Sequence, residues 1–204
     1  LWRESGGVLG GTWKNVQADE EAEPLFSFRS PPLSELIARI NKHSNNVMAR
    51  QVLYTLAAEE RGPPGTEVAG RDVIAAWLED RKLETCATAL ENGAGLSRES
   101  RVCAAAMAAM LRFAWRQPYM PEFLSSMSLS GLDGTLRRRF NGSQLVGQAH
   151  LKTGSLDHVT AIAGYMQSRS GRRFAVVALQ NFEDIHRGPG EEVQEALLRW
   201  LYEQ

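Results

Sequence analysis

The feature that most limits how this chain can fold is a change of hydrophobic period near Leu145. Before it, apolar residues recur at helical spacing. After it, they fall into short blocks separated by turn residues. His150–Gly154, Val159–Gln167 and Phe174–Gln180 read as three strands, and Ser168-Arg169-Ser170-Gly171 supplies a tight turn between the last two. Parallel neighbours would need a crossover of about a dozen residues, so links this short imply an antiparallel meander. A helix from Pro189 closes the chain. Its stripe of Val193, Ala196, Leu197, Trp200 and Leu201 is expected to dock on one face of the meander.

The preceding segment reads as helical. Ser30-Pro31-Pro32 is a helix start, with Ser30 as candidate cap, and Leu33, Leu36, Ile37 and Ile40 form one apolar stripe. Asn41 to Asn46 interrupts the pattern, which resumes from Val47 to about Glu60. Gly62-Pro63-Pro64-Gly65 breaks the chain, and Thr66 can cap a helix with Val73, Ile74, Trp77 and Leu78 inward. Ser97 is a candidate cap for an Ala- and Met-rich helix that runs to about Trp115 and should sit deep. Gln117-Pro118-Tyr119-Met120-Pro121 ends it. Residues 1–29 read as a connector, with a short strand possible at Leu25-Phe26-Ser27-Phe28 after the acidic run Asp19-Glu20-Glu21 and Pro24. The fold class is therefore α+β: a helical part over 30–144, then a sheet part over 145–204.

Composition narrows the function. Lys plus Arg is 23 and Asp plus Glu is 24, a balance that argues against a nucleic-acid binder. Arg137-Arg138-Arg139 is the one dense basic run, read as a solvated helix face or a site for an anionic polymer. No apolar stretch is long enough to span a bilayer. The chain opens on Leu1-Trp2-Arg3-Glu4, which reads as sequence from inside a longer protein, so the lack of a signal peptide says nothing about compartment. Cys86 and Cys103 are expected as buried free thiols, or as a disulfide if the parent protein is exported. His43, His150, His158 and His186 show no metal-ligand spacing, so neither a metal nor another cofactor is expected.

Two short motifs carry chemistry. Ser44-Asn45-Asn46 matches S-x-N, a weak signal that also suits a helix-boundary turn. Lys152-Thr153-Gly154, followed by Ser155, is stronger, since K-T-G arises by chance in about one chain in twenty of this length. A cation beside a hydroxyl suits a carboxylate. A strand glycine lets another backbone approach closely. In this order, S-x-N then K-T-G are two of the three serial motifs of penicillin-binding proteins and serine β-lactamases.

The flanking text narrows the resemblance. Ser30-Pro31-Pro32-Leu33 and Ile40 to Ala49 resemble the S-x-N region of the D-Ala-D-Ala carboxypeptidase/endopeptidase family typified by penicillin-binding protein 4. Glu91-Asn92-Gly93-Ala94-Gly95-Leu96-Ser97-Arg98 is similar to its N-G-S-G-L-S-R segment, with Ala94 in place of Ser. Gly131-Leu132-Asp133-Gly134-Thr135-Leu136 resembles its G-x-D-G-T-L turn, and His150 to Tyr165 its K-T-G strand and the next. The departure is the absence of S-x-x-K at every serine of the chain. The nucleophile and its lysine are therefore expected upstream, in a missing N-terminal half.

The resemblance implies a penicillin-recognising fold and a periplasmic serine-type hydrolase that works through an acyl-enzyme. Its substrate would be a peptidoglycan stem peptide ending in D-Ala-D-Ala, with β-lactams as mimics. Ser44 would relay a proton to the leaving amine, Asn46 would hold a substrate carbonyl, and Lys152 would supply positive potential and orient Ser44. Thr153 would bind the terminal carboxylate, Gly154 would leave room for substrate, and the Ser155 N–H would form half an oxyanion hole. Asp133 is read as a turn former, Asp157 and His158 as a simple loop in preference to a border of the cleft, and Arg98 and Trp13 as structural. The chain alone should be inactive, with an apolar surface where the missing half packs and through which it could self-associate. The alternative is a non-catalytic module that binds stem peptides; a serine β-lactamase fits the flanking segments less well.

Overall fold

The computed structural model describes residues 2–16, 23, 25–83, 86 and 88–204. Contacts divide the chain into two units, Leu1–Ser30 and Pro31–Gln204. In the first, no strand forms among the described residues, Leu25 to Phe28 included, and Trp2, Trp13, Leu25, Phe26 and Phe28 are exposed. The acidic run at Asp19 and Pro24 lie outside the described residues.

In the second unit, α1 (Leu33–His43) and α2 (Asn46–Arg61) flank the S-x-N segment. Ser30 does not cap α1: Pro32 takes the N-cap position without a side-chain bond. Asn45 caps α2, its side chain accepting from Met48 N–H at 3.0 Å. Thr66 caps α3 (Glu67–Asp80) as its sequence suggests. The Ala-rich helix α4 (Ala104–Ala114) begins later than expected. Ser97 Oγ instead accepts the N–H groups of Glu99 and Ser100, and Ala89 bridges Arg101, so the chain is held in a loop until Cys103 caps the helix. Only Leu111 and Ala114 of α4 are fully buried, so it lies less deep than its composition suggests. Cys86 and Cys103 are bonded, not free.

A short helix, α5 (Met120–Ser126), and a two-residue strand, β1 (Ser128–Leu129), follow where the sequence showed only a helix end. Then comes the meander: β2 (Ala149–Leu156), β3 (Val159–Gln167) and β4 (Arg173–Asn181). The sheet is antiparallel in the order β1-β2-β3-β4. The closing helix α6 (Pro189–Tyr202) covers one face, where Leu136, Leu145, Leu151, Ile162, Met166, Val176 and Leu198 form a core. On the other face Leu111 of α4 meets Met127, Ala163 and Tyr165. The Tyr165 hydroxyl donates to Leu111 O at 2.6 Å, and burial pushes it up to about 12. This alternation of faces is what a sheet covered by helices on both sides requires.

Gly164 shapes the sheet, and Arg139 shapes the turn beside it. Gly164 of β3 stands opposite Leu151 of β2 with φ +152°, and a Cβ there would lie 2.1 Å from His150 O, so only glycine permits this approach. The basic run is neither helical nor fully solvated. Arg139 turns inward, donates to Gln194 Oε1 at 3.2 Å and faces Glu191 and Glu195, tying its turn to α6.

Candidate active site

Ser44 closes α1 in the left-handed backbone region, φ 53° and ψ 46°. A non-glycine residue holds that conformation only where its surroundings enforce it. Here the last turn of α1 is fixed from outside. Asn41 Nδ2 donates to Ser126 Oγ at 2.8 Å, and Lys42 Nζ donates to Met127 O at 3.2 Å and to Asp133 Oδ2. Asp133 also accepts Leu129 N–H at 2.8 Å. Burial alone would raise the Asp133 carboxyl, but the Lys42 ammonium and the Leu129 N–H outweigh it and hold it below 3.8. These bonds join the S-x-N helix to the segment that runs into β1. Since β1 pairs with β2 at Leu151 and His150, the same bonds set α1 beside the K-T-G strand.

The result is a contact between residues 108 apart in sequence: Lys152 Nζ donates to Ser44 Oγ at 2.9 Å. The same ammonium donates to Thr153 O at 2.6 Å. Burial lowers the Lys152 pKa from 10.5, because a desolvated ammonium is less favoured than a solvated one. A serine oxygen that accepts from lysine keeps its own hydroxyl proton free to donate elsewhere. Asn46, the first residue of α2, is partly buried, and its side chain makes no hydrogen bond among the described residues.

Thr153, Gly154 and Ser155 continue β2 past the last residue that β1 pairs, so among the described residues no strand covers this edge of β2. Gly154 and Ser155 are exposed. A Cβ on Gly154 would meet only Ala161 Cβ, at 3.8 Å, which is ordinary contact. Packing within the chain therefore does not demand glycine there. The Thr153 hydroxyl donates to Thr135 Oγ1 at 2.9 Å.

Several neighbours escaped the sequence reading. Lys42 and Asp133 form an ion pair that a turn-former reading of Asp133 could not show. Arg98 Nη1 donates to Asp157 O at 2.8 Å, linking the Asn92–Arg98 loop to the turn just past K-T-G. His150, on β2, has burial and the Lys42 charge holding its pKa below 6.5, and its Nδ1 is buried without a partner. A cavity of about 220 Å³ beside it, lined by Trp115, Leu124, Tyr165 and Arg173 among others, touches none of the motif residues.

His158, Asp184 and His186 each bring one metal-capable atom within 4.8 Å of the others, a grouping their sequence spacing conceals. Their hydrogen bonds oppose a metal. His158 Nδ1 accepts Asp184 N–H at 3.0 Å, and His186 Nδ1 accepts His158 N–H at 2.9 Å. A neutral ring so bonded carries its proton on Nε2 and has no lone pair left to ligate. The pair instead ties the β2–β3 turn to the loop after β4.

Comparison with known proteins identifies the family and the fold. The chain is 31% identical over 95% of its length to a D-alanyl-D-alanine carboxypeptidase of Actinomadura sp. strain R39, and spans 37% of that protein. It is 26% identical over 88% of its length to the D-alanyl-D-alanine carboxypeptidase DacB of Haemophilus influenzae, and spans 38% of it. The crystal structure of penicillin binding protein 4 from H. influenzae superposes over 85% of this chain and 40% of that one, with a TM-score of 0.78 at 25% identity. A second structure of that protein, complexed with a β-lactam, covers all of this chain and 49% of that one, with a TM-score of 0.85 at 24% identity. An extended-spectrum β-lactamase, TLA-3, shares the fold at a TM-score of 0.60 and 15% identity over 83% of this chain. The fold is thus the penicillin-recognising one, and the chain spans less than half the length of the curated relatives named here. The model of the D-Ala-D-Ala carboxypeptidase 3 (S13) family matches residues 1–204, and the chain belongs to that family.

Proposed function

We propose that this chain forms the S-x-N and K-T-G walls of the active site of a serine-type D-Ala-D-Ala carboxypeptidase/endopeptidase. The bond from Lys152 Nζ to Ser44 Oγ carries the reading. A serine hydroxyl bonded to an ammonium at the open edge of a strand supports a proton-relay role for Ser44. The substrate is a peptidoglycan stem peptide ending in D-Ala-D-Ala, and a β-lactam is its mimic; the β-lactam complex of the Haemophilus relative supports this.

The peptide lies antiparallel along the free edge of β2, adding a strand. Gly154 leaves space for it, and the Asn46 amide donates to a substrate carbonyl. Thr153 holds the terminal carboxylate, near the positive potential of Lys152. A serine from an S-x-x-K motif in the upstream half attacks the penultimate carbonyl, and the Ser155 N–H stabilises the oxyanion. Ser44 donates its proton to the departing amine and is oriented by Lys152. Water then hydrolyses the acyl-enzyme. The disulfide suits an oxidising compartment, which agrees with a periplasmic setting.

The test is labelling by fluorescent penicillin. The full-length protein should form one covalent adduct, Ser44→Ala should slow its formation by about 100- to 10,000-fold, and the chain of 204 residues alone should form none. A stoichiometric adduct on the chain alone, or full-speed acylation of Ser44→Ala, would refute the assignment. Light scattering of the isolated chain checks self-association: a clean monomer removes that part of the reading.

A further inference from the structure

Thr135 belongs to neither motif, yet its hydroxyl lies 2.9 Å from that of Thr153. It is exposed to solvent, while the turn that presents it is fixed on every side. Leu136, the next residue, is fully buried, and Asp133, two before it, is paired with Lys42. Gly134 is pressed so closely that a Cβ would lie 2.1 Å from Ser128 Oγ and 2.9 Å from Lys42 O. Thr135 N–H donates to the same Ser128 Oγ at 3.1 Å, and the Ser128 and Thr135 hydroxyls are 3.3 Å apart. Ser128 is itself fully buried.

We propose that Thr135 is a second hydroxyl of the carboxylate subsite, binding the C-terminal carboxylate of the substrate together with Thr153. This rests on the carboxypeptidase reading above. A carboxylate offers two oxygens and about four lone-pair sites, more than one threonine can satisfy. Without ligand, the Thr153 proton points at Thr135. When the anion arrives, the Thr153 hydroxyl turns to one oxygen and the Thr135 hydroxyl to the other. The Ser128 hydroxyl, behind Thr135, then supplies a donor to the Thr135 oxygen. Only protons rotate; no heavy atom moves, so the subsite is organised before the ligand binds.

The experiment uses the full-length protein and two peptides that differ only at the C-terminus, D-Ala-D-Ala as free acid and as amide. Thr135→Val removes the hydroxyl and keeps the shape; Thr135→Ser keeps the hydroxyl. A hydrogen bond to a charged group predicts that Thr135→Val lowers kcat/KM for the acid by about 10- to 100-fold. The amide should change by less than about threefold, and Thr135→Ser should restore the preference for the acid. Labelling run to its end point at saturating fluorescent penicillin counts competent sites in each variant whatever their rate, separating slower turnover from loss of folded protein. An unchanged acid-to-amide ratio in Thr135→Val, or a failure of Thr135→Ser to restore it, overturns the assignment while leaving the carboxypeptidase reading intact. A wild-type protein that cleaves neither peptide removes that reading, and this one with it.

Discussion

Replacing Gly134 by alanine should damage the protein twice over, and the two costs can be separated. The first is conformational. Gly134 has φ +55°, where a side chain costs roughly 1–2 kcal/mol. The second is steric. The new methyl would sit 2.1 Å from Ser128 Oγ and 2.9 Å from the carbonyl of Lys42, and neither can withdraw freely. Ser128 is fully buried, and Lys42 is held by Asp133 and Met127. Overpacking of this kind costs roughly 1–3 kcal/mol. Gly142 is the control: its φ is +71°, but nothing lies within 4 Å of the added Cβ, so only the conformational cost applies. Gly134→Ala should therefore lose roughly 2–5 kcal/mol and Gly142→Ala roughly 1–2 kcal/mol. Urea unfolding at a common m value measures both. Equal losses in the two variants would refute the claim that this turn is wedged between α1 and Ser128.

Cys86→Ser should cost about 3 kcal/mol, the chain-entropy value for a loop of this length, given a sequence separation of 17 between the bonded cysteines. Reductant should lower wild-type stability by a similar amount and leave the variant unchanged. His150 is disfavoured as a cation in the fold, so below pH 6.5 the unfolded chain binds a proton that the folded chain resists. Stability should fall as pH drops through that window, and His150→Gln should flatten the fall; parallel urea curves at about pH 7.5 and about pH 5.5 decide it.

The meander was legible because its information is local. Val159–Gln167 came out residue for residue, and α6 began at Pro189, since period and turn chemistry specify both. The two motifs were legible as text, but the bond between Ser44 and Lys152 is tertiary and needed the fold. The start of α4 was misread because Ser97 offers its oxygen to a turn as readily as to a helix. Arg139 was read as solvated because its partners, Gln194, Glu191 and Glu195, lie on α6, far along the chain. Thr135, Lys42 and the His158–His186 pair were missed for the same reason: no spacing rule links them to what they touch.

Gly164 has a mechanical consequence for any ligand that docks on β2. Because it lacks a Cβ, the backbone of β3 seats directly behind His150 and Leu151 and acts as an anvil. That seat lies just ahead of the open edge, on the stretch that β1 pairs, so the end of β2 leading into K-T-G cannot shift toward β3 without compressing main chain on main chain. With the end of α1 also tied down through Asn41 and Lys42, a poorly shaped guest must itself adjust, and guests already extended would suffer least.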